Sequence, residues 1–514
     1  MNPSQPEAEA MGIEGGRVTA IGTVAEVQAT LGASVRTIDM HGRTILPGFI
    51  DTHTHVEMTA LSRHVWTDVR GKTREEILEI VHHQAQNKPW GEWIIAQATF
   101  GQDLPNKEEL NAAAPNHPVA VRWSMHKFIV NQQALDAGGL TRSSIMPIGM
   151  RFQKNSDGTL NGVLEEAWDL LPIPELPQEL LTAALEETLH AYFLANGVTT
   201  VHEIGYTAAG IQTLRELANT CRAPRMGILL TVAPGHQPLA TLSKDHDLPL
   251  DPRSWNDRFR YHGYKIFVDG GRDGAFRSNQ LEEPADQWGL LTRLYPKLVE
   301  ELHQAMHDDM QVYVHAIGDL AQEIAISALE RIHETFPNLD HRIRIEHFFN
   351  EHRGTKDLER LIAAGGIAAP NPGFVIAEPD DPRKRQPVGA EKYALKTLVE
   401  HQGFIPGNSD TAGAQPFTTN PWFTIRCMLE LKNKNGVEIN PTERIGLDTA
   451  LRAFTLDAAY STRLENERGS LERGKVADFI VIDRDPFNTP TADLTSIKTL
   501  ATVIGGEMAY GALA

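Results

Sequence analysis

Cysteine is nearly absent: Cys221 and Cys427 are the only two in 514 residues. Two thiols build neither a disulfide framework nor a Cys-based zinc site, and a reducing compartment is the simplest reading. Positive charge is also scarce. Lys and Arg number 48 against 67 Asp and Glu, a net charge of −19. The basic footprint of a phosphate-backbone binder is missing, so nucleic acid is not an expected partner. No apolar run reaches the 18 residues of a membrane-spanning helix, so no membrane partner is expected either. The opening MNPSQPEAEA is polar and acidic and lacks the apolar centre of a signal peptide. These absences point to a cytoplasmic protein with a small-molecule partner.

The remaining composition is that of a folded chain, with 41% hydrophobic and 22% charged residues. The 41 Gly and 30 Pro show no period, which excludes collagen-like and low-complexity chains. Strand-like runs stand at both ends: Gly16–Gly22 and Val35–Asp39 early, Ala477–Asp483 and Leu500–Glu507 late. They predict one small β-sandwich domain built from 1–46 plus 468–514. Between them, strand candidates alternate with helical patterns, the signature of βα units. The candidates are Gly48–His55, Thr199–Gly205, Gly227–Val232, Tyr264–Gly270, Gln311–Gly318, Arg342–Phe348, Gly366–Pro370 and Gly403–Asp410. Eight is the number a closed (β/α)8 barrel needs. The expected architecture is therefore an α/β, TIM-type barrel over 47–467. Residues 57–177 exceed one βα unit and hold their own strand-like runs, Trp93–Ala98 and Val119–Trp123. They read as an insertion after the first strand, on the face where barrels carry substrate contacts.

Chemistry-bearing residues gather at predicted strand ends. In Gly48-Phe-Ile-Asp-Thr-His-Thr-His55, alternation puts His53 and His55 on one side, spaced to chelate a divalent ion. Chance alone supplies about one His-x-His pair at this histidine content, so the pair by itself says little. The position recurs: His315 ends one strand, His347 another, and Asp410 closes Gly407-Asn-Ser-Asp410. Four histidines and an acid at the carboxyl ends of strands of one barrel describe an active site.

LPGFIDTHTH, KIFVDG, YVHAIGD, RIEH and the late Asn-Ser-Asp resemble the amidohydrolase superfamily of metal-dependent hydrolases, in particular the subgroup of YtcJ-like proteins and N-substituted formamide deformylase. Asn131-Gln-Gln-Ala-Leu135 and Gly469–Phe479 extend the resemblance over nearly the whole chain. It implies that His53 and His55 hold one metal and His315 and His347 a second, with Asp410 as metal ligand and general acid/base. Lys265, on the fourth strand, stands where the superfamily often has a lysine carbamylated by carbon dioxide that bridges two metals. An unmodified lysine paired with Asp269 or Glu203 is the plainer reading. Glu203 is the rival bridging carboxylate or a residue orienting a histidine, with His202 turned the other way. Trp123, His126, Glu203, Asp269 and Arg277 are weaker candidates for substrate contact, and Glu346 is expected to face the helix layer. His82, His83 and His262 read as structural. Two departures stand out. The family usually opens with a further β segment ahead of the Pro-Glu-Ala-Glu-Ala stretch. Asn408 also replaces the glycine often found before Ser-Asp, which is expected to shift Asp410 slightly.

The expected reaction is hydrolysis of a carbon–nitrogen bond other than a peptide bond: amide, formamide, carbamate or cyclic amide. One or two divalent ions, zinc first, make hydroxide available at neutral pH. A mononuclear deaminase, or a decarboxylase or isomerase, on the same scaffold is the alternative, and a ligand-binding barrel without turnover is a third. Pairing into a homodimer is expected for barrels of this kind.

Overall fold

The computed structural model describes every residue except 1, 3, 33, 100, 221, 233–256, 285–286, 353, 386–389, 412–415 and 514. Of the two cysteines, Cys427 is buried and unbridged, and Cys221 lies outside the described residues.

Seven parallel strands form the main sheet, neighbours in chain order: Phe49–Thr54, Val198–Gly205, Arg225–Val232, Phe259–Phe267, Gln311–His315, Arg344–Glu346 and Ile367–Ala369. They are buried along their described length apart from the partly exposed Thr231 and Arg260, as strands covered on both faces should be. Helices follow where apolar residues recur at helical spacing, among them Gln178–Thr188, Tyr295–His307, Asp319–Thr335 and Lys356–Ala363. Their apolar faces join the strands in one continuous core, where Phe49 packs edge-on to Trp422 at 5.3 Å.

The eighth candidate, Gly403–Asp410, departs from expectation: it forms no strand. It runs as irregular chain beside the first strand, with Thr52 N donating to Gly407 O (3.2 Å), Asp410 N to His53 O (2.9 Å) and His55 N to Thr411 O (3.0 Å). On its other side Asn408 Nδ2 donates to Pro370 O at 2.8 Å. Gly407 and a left-handed Asp410 (φ 44°) interrupt the pleat that a ladder on both sides requires.

The chain ends meet in two small sheets. Ala10–Glu14 pairs with Arg17–Gly22. Thr44–Pro47, Phe479–Ile482, Thr499–Ile504 and Glu507–Gly511 form a four-stranded antiparallel sheet. Val18 N donates to Lys475 O and Ala477 N to Gly16 O, lacing the two ends together. The last hairpin turns at Gly505-Gly506, both at positive φ (62° and 77°), which a tight two-residue turn demands. The expected strand at Val35–Asp39 does not form: Val35, Arg36 and Thr37 are exposed and offer the sheet no face to bury.

The insertion has its own six-stranded mixed sheet, in the order Thr67–Asp68, Ile94–Gln97, Val119–Arg122, Lys127–Val130, Leu160–Glu165, Arg151–Lys154. It carries its own apolar clusters, one around Phe128 and Leu164, another around Ile77 and Val121.

Arg225, buried at the start of the third strand of the main sheet, joins that sheet to the four-stranded one. Its Nε and Nη2 donate to the two oxygens of Asp478 at 2.7 and 2.9 Å, and Nη1 reaches Asp257 Oδ2 at 2.6 Å. Asp478→Ala strands this guanidinium with one counter-ion. We expect a loss of about 3 kcal/mol, near the lower end for breaking a buried pair because Asp257 remains, measured by urea unfolding.

Candidate metal centre and active site

His53, His55, Lys265, His315, His347 and Asp410 line a single cavity at the carboxyl ends of the strands. Each arrives there from a different strand end or from the segment after the seventh strand, except the His53–His55 pair.

Hydrogen bonds set the imidazole tautomers. His53 Nδ1 lies 2.7 Å from Glu346 Oε2, so Nδ1 carries the proton and Nε2 the lone pair. That Nε2 is 3.3 Å from Asp410 Oδ1 and 3.2 Å from Lys265 Nζ. His55 Nε2 is 3.1 Å from the same Asp410 oxygen, and its buried Nδ1 has no hydrogen-bond partner among the described residues. His347 Nδ1 donates to Asn371 Oδ1 at 2.6 Å, leaving Nε2 as lone pair. His315 is reversed: Nε2 donates to Gly270 O at 3.1 Å, leaving Nδ1. The His315 and His347 rings meet edge to face at 4.4 Å.

Burial sets the charges. It pushes His53 and His315 well below the ordinary imidazole value, lowers His55, and brings His347 down to about 4. These rings are neutral at physiological pH and have lone pairs to give. Burial works to raise Asp410, but His53, His55 and His347 around it hold it below the usual carboxylate range. Burial also brings the Lys265 ammonium down to about 8, against the pull of Glu346 and Asp410. One ligating atom each from His53, His55 and Asp410 lie within 4.8 Å of one another. Neutral imidazoles with a carboxylate, one of them tied to a second carboxylate through Nδ1, are a donor set that fits a divalent cation such as zinc.

The weaker candidates separate. Glu203 does not line the cavity. Its oxygens accept from Val56 N (2.5 Å), Thr54 Oγ1 (2.9 Å) and Glu57 N (3.1 Å), so it caps the short helix Val56–Ala60, and burial raises it to about 8. His202 points elsewhere, its ring 4.5 Å from His262. Asp269 is fully buried and accepts from the backbone N–H of Phe276, Ile317 and Gly318, which shapes the loops under His315. Arg277 pairs with Glu351 at 2.9 Å; Arg272 and Glu351, rather than Arg277, border the cavity. Trp123 lies under Lys127 and against the insertion's own core, away from the cavity. His126 does line the cavity, with Nδ1 2.8 Å from Glu166 Oε1. Burial opposes its charge, but Glu166 outweighs that and raises it.

Glu346 requires a correction. It does not face the helix layer but points inward to His53, while the next residue, His347, also reaches the cavity. Alternation fails because the strand ends at Glu346 and His347 takes a left-handed φ of 68°. Glu346 is in turn held by Arg344, whose Nε lies 2.8 Å from Oε1 and whose Nη2 donates to Thr52 at 3.0 Å. The spacing Arg344-x-Glu346 was the available signal, a charged pair two apart on one buried strand. Glu166 and Asn371 had no such signal, since each lies far in sequence from the histidine it holds.

Parallel strands delivering imidazoles and a carboxylate to one cavity define the class of metal-assisted hydrolases on an α/β sheet. The family model described as "Amidohydrolase family" matches residues 36–510, and the chain belongs to that family. It is an enzyme, a hydrolase of carbon–nitrogen bonds. It is 26% identical to N-substituted formamide deformylase of Arthrobacter pascens, over 98% of this chain and 95% of that protein. It is also 26% identical to the amidohydrolase-type protein YtcJ of Bacillus subtilis, over 98% of this chain and 96% of that one. Both belong to the subgroup that the motifs resemble. The crystal structure of a metal-dependent hydrolase from Pyrococcus horikoshii aligns with a TM-score of 0.70 at 20% identity, covering 94% of this chain and 95% of that one, a likeness of fold.

Glu346→Gln keeps an acceptor for His53 but removes the charge that fixes its tautomer. Divalent-metal affinity should fall about 10–100-fold, read by competition with a chromogenic chelator.

Proposed function

We propose that the protein is a metal-dependent hydrolase of a non-peptide carbon–nitrogen bond in an amide, formamide, carbamate or cyclic amide. The observation that carries this reading is the trio His53, His55 and Asp410, gathered in one cavity with both of these imidazoles kept neutral by burial. In this reading the trio would hold one ion and His315 and His347 a second, with Lys265, once carbamylated, as a further ligand for both. A bound divalent ion, zinc first, supplies Lewis acidity and brings the pKa of a water towards about 7. Asp410 takes the proton of the attacking water and hands it to the leaving nitrogen. The ring nitrogens of His53 and His55 lie 3.3 and 3.1 Å from the same oxygen, Asp410 Oδ1, so all three would hold the same ion. Met125, Phe267, Ile317, Phe374 and Ala377 give the cavity an apolar wall that excludes water and suits an apolar substituent on the nitrogen. With a relative named for N-substituted formamides, such formamides are the first substrates to try.

The same reading takes the seven-stranded sheet and segment 405–411 as one closed (β/α)8 barrel, and the two terminal sheets as one β-sandwich domain. The hydrogen bonds from 407–411 to the first strand and from residues 16 and 18 to 475 and 477 support it. A mononuclear deaminase, or a decarboxylase or isomerase, is the second reading. It is favoured by one observation: His315 and His347 do not join the single three-residue ligand group found among the described residues.

The test is metal analysis followed by a panel of N-alkyl formamides, amides and cyclic amides, assayed by amine or acid release. Asp410→Asn should lose about 10²–10⁴-fold in turnover with metal retained, as for loss of a general base; near-normal turnover removes Asp410 from the mechanism. Carbamylation joins carbon dioxide to the neutral amine and releases a proton. With Lys265 near 8, a fixed concentration of bicarbonate should raise the final extent of metal reconstitution more at pH 9 than at pH 7. Lys265→Met should abolish that dependence, and a wild-type enzyme indifferent to bicarbonate makes Lys265 a plain cation.

A further inference from the structure

Ser124, Met125 and His126 are the part of the insertion that borders the catalytic cavity. His126 is braced there from three sides. Its Nδ1 lies 2.8 Å from Glu166 Oε1, and its carbonyl accepts from Glu166 N at 2.8 Å. Glu166 Oε1 accepts in addition from Gly271 N at 3.2 Å, in the chain that follows the fourth strand of the main sheet. Glu166 sits at φ 53°, a left-handed conformation that a non-glycine residue keeps only where its surroundings enforce it. Gly271 completes the brace: a Cβ there would lie 2.6 to 2.9 Å from His126 atoms, so the ring lies directly on the backbone. The ring centroid is 5.4 Å from His315 and 6.1 Å from Phe267. With Nδ1 spent on Glu166, Nε2 is the ring's remaining polar atom, and no group among the described residues hydrogen-bonds it.

An imidazole fixed this firmly by a carboxylate, with its second nitrogen left over beside the proposed metal ligands, has more than packing to do. We propose that His126 is a catalytic residue of the carbon–nitrogen hydrolysis, hydrogen-bonding the scissile group of the substrate through Nε2, with Glu166 as its positioning residue. The insertion then completes the active site instead of only roofing it. The inference rests on the proposed hydrolase function and extends it by one substrate contact.

The experiment uses the full-length, zinc-loaded enzyme and N-phenethylformamide, with amine release as readout. His126→Ala and His126→Asn should lower kcat/KM about 10²-fold, the scale of removing one preorganised hydrogen-bonding group. The fall should be carried mainly by kcat, with zinc content and unfolding midpoint unchanged. Glu166→Ala should follow His126→Ala. Glu166→Gln, whose Oε1 still accepts from Nδ1, should stay within a fewfold of wild type. Wild-type kcat/KM in both His126 variants overturns the inference and leaves the hydrolase reading intact. Loss of zinc in the His126 variants also overturns it, because His126 is then a metal ligand. A wild-type enzyme that turns over neither this formamide nor the wider panel fails at the hydrolase reading itself.

Discussion

One buried carboxylate governs the chemistry of the cavity. Glu346 has no exposure, and Arg344, equally buried, lies against both of its oxygens. The guanidinium supplies that carboxylate with a paired partner in a place where water cannot reach it. The charged carboxylate in turn leaves His53 one choice, a proton on Nδ1 and a lone pair on Nε2. Arg344 also donates to Thr52 on the first strand and to Tyr313 on the fifth. The same cation therefore ties three strands together and sets the electronic state of a candidate ligand. A buried ion pair is poor evidence for stability, since desolvation consumes most of its attraction. Here its return is a defined imidazole.

A neutral counterpart sits beside it, past the end of the neighbouring seventh strand. Asn408 Oδ1 accepts from Asn371 Nδ2 at 2.7 Å, and Asn371 Oδ1 accepts from His347 Nδ1 at 2.6 Å. Asn408 Nδ2 is occupied by Pro370 O. Each amide is thereby oriented, and His347 is left with its lone pair on Nε2. Asn408 lies in the irregular segment that runs where the eighth strand was expected. Its side chain bonds back to the seventh strand, while Asp410 takes the left-handed turn two residues later. The segment gains a lateral anchor in exchange for the freedom a glycine would give.

The motifs at strand ends could be read directly because a strand fixes side-chain direction by simple alternation. His53, His55, Lys265 and His315 follow that rule, and seven of the eight strand candidates form close to where the pattern puts them. Reading failed where the backbone leaves the pleat. His347 and Asp410 both adopt positive φ, so Glu346 turned inward against expectation and the last candidate strand became irregular chain. Partners across the fold were also out of reach of local pattern. Glu203, a strand-end acid expected as the rival bridging carboxylate or a residue orienting a histidine, is claimed instead by the open N–H groups of Val56 and Glu57. Only the three-dimensional fold brings Glu166 to His126, forty positions away.

The small terminal sheet has a consequence for biosynthesis. Thr44–Pro47 leads straight into the first strand of the main sheet, but its own hydrogen-bonding partner is Phe479–Ile482. During translation that early segment emerges with one edge unsatisfied and waits until nearly the entire polypeptide has left the ribosome. Pairing of such distant segments is intrinsically slow, and a waiting strand edge is open to wrong partners. The nascent chain is thus most vulnerable to aggregation before release, and its final maturation step is the clasping of an early strand by a late one.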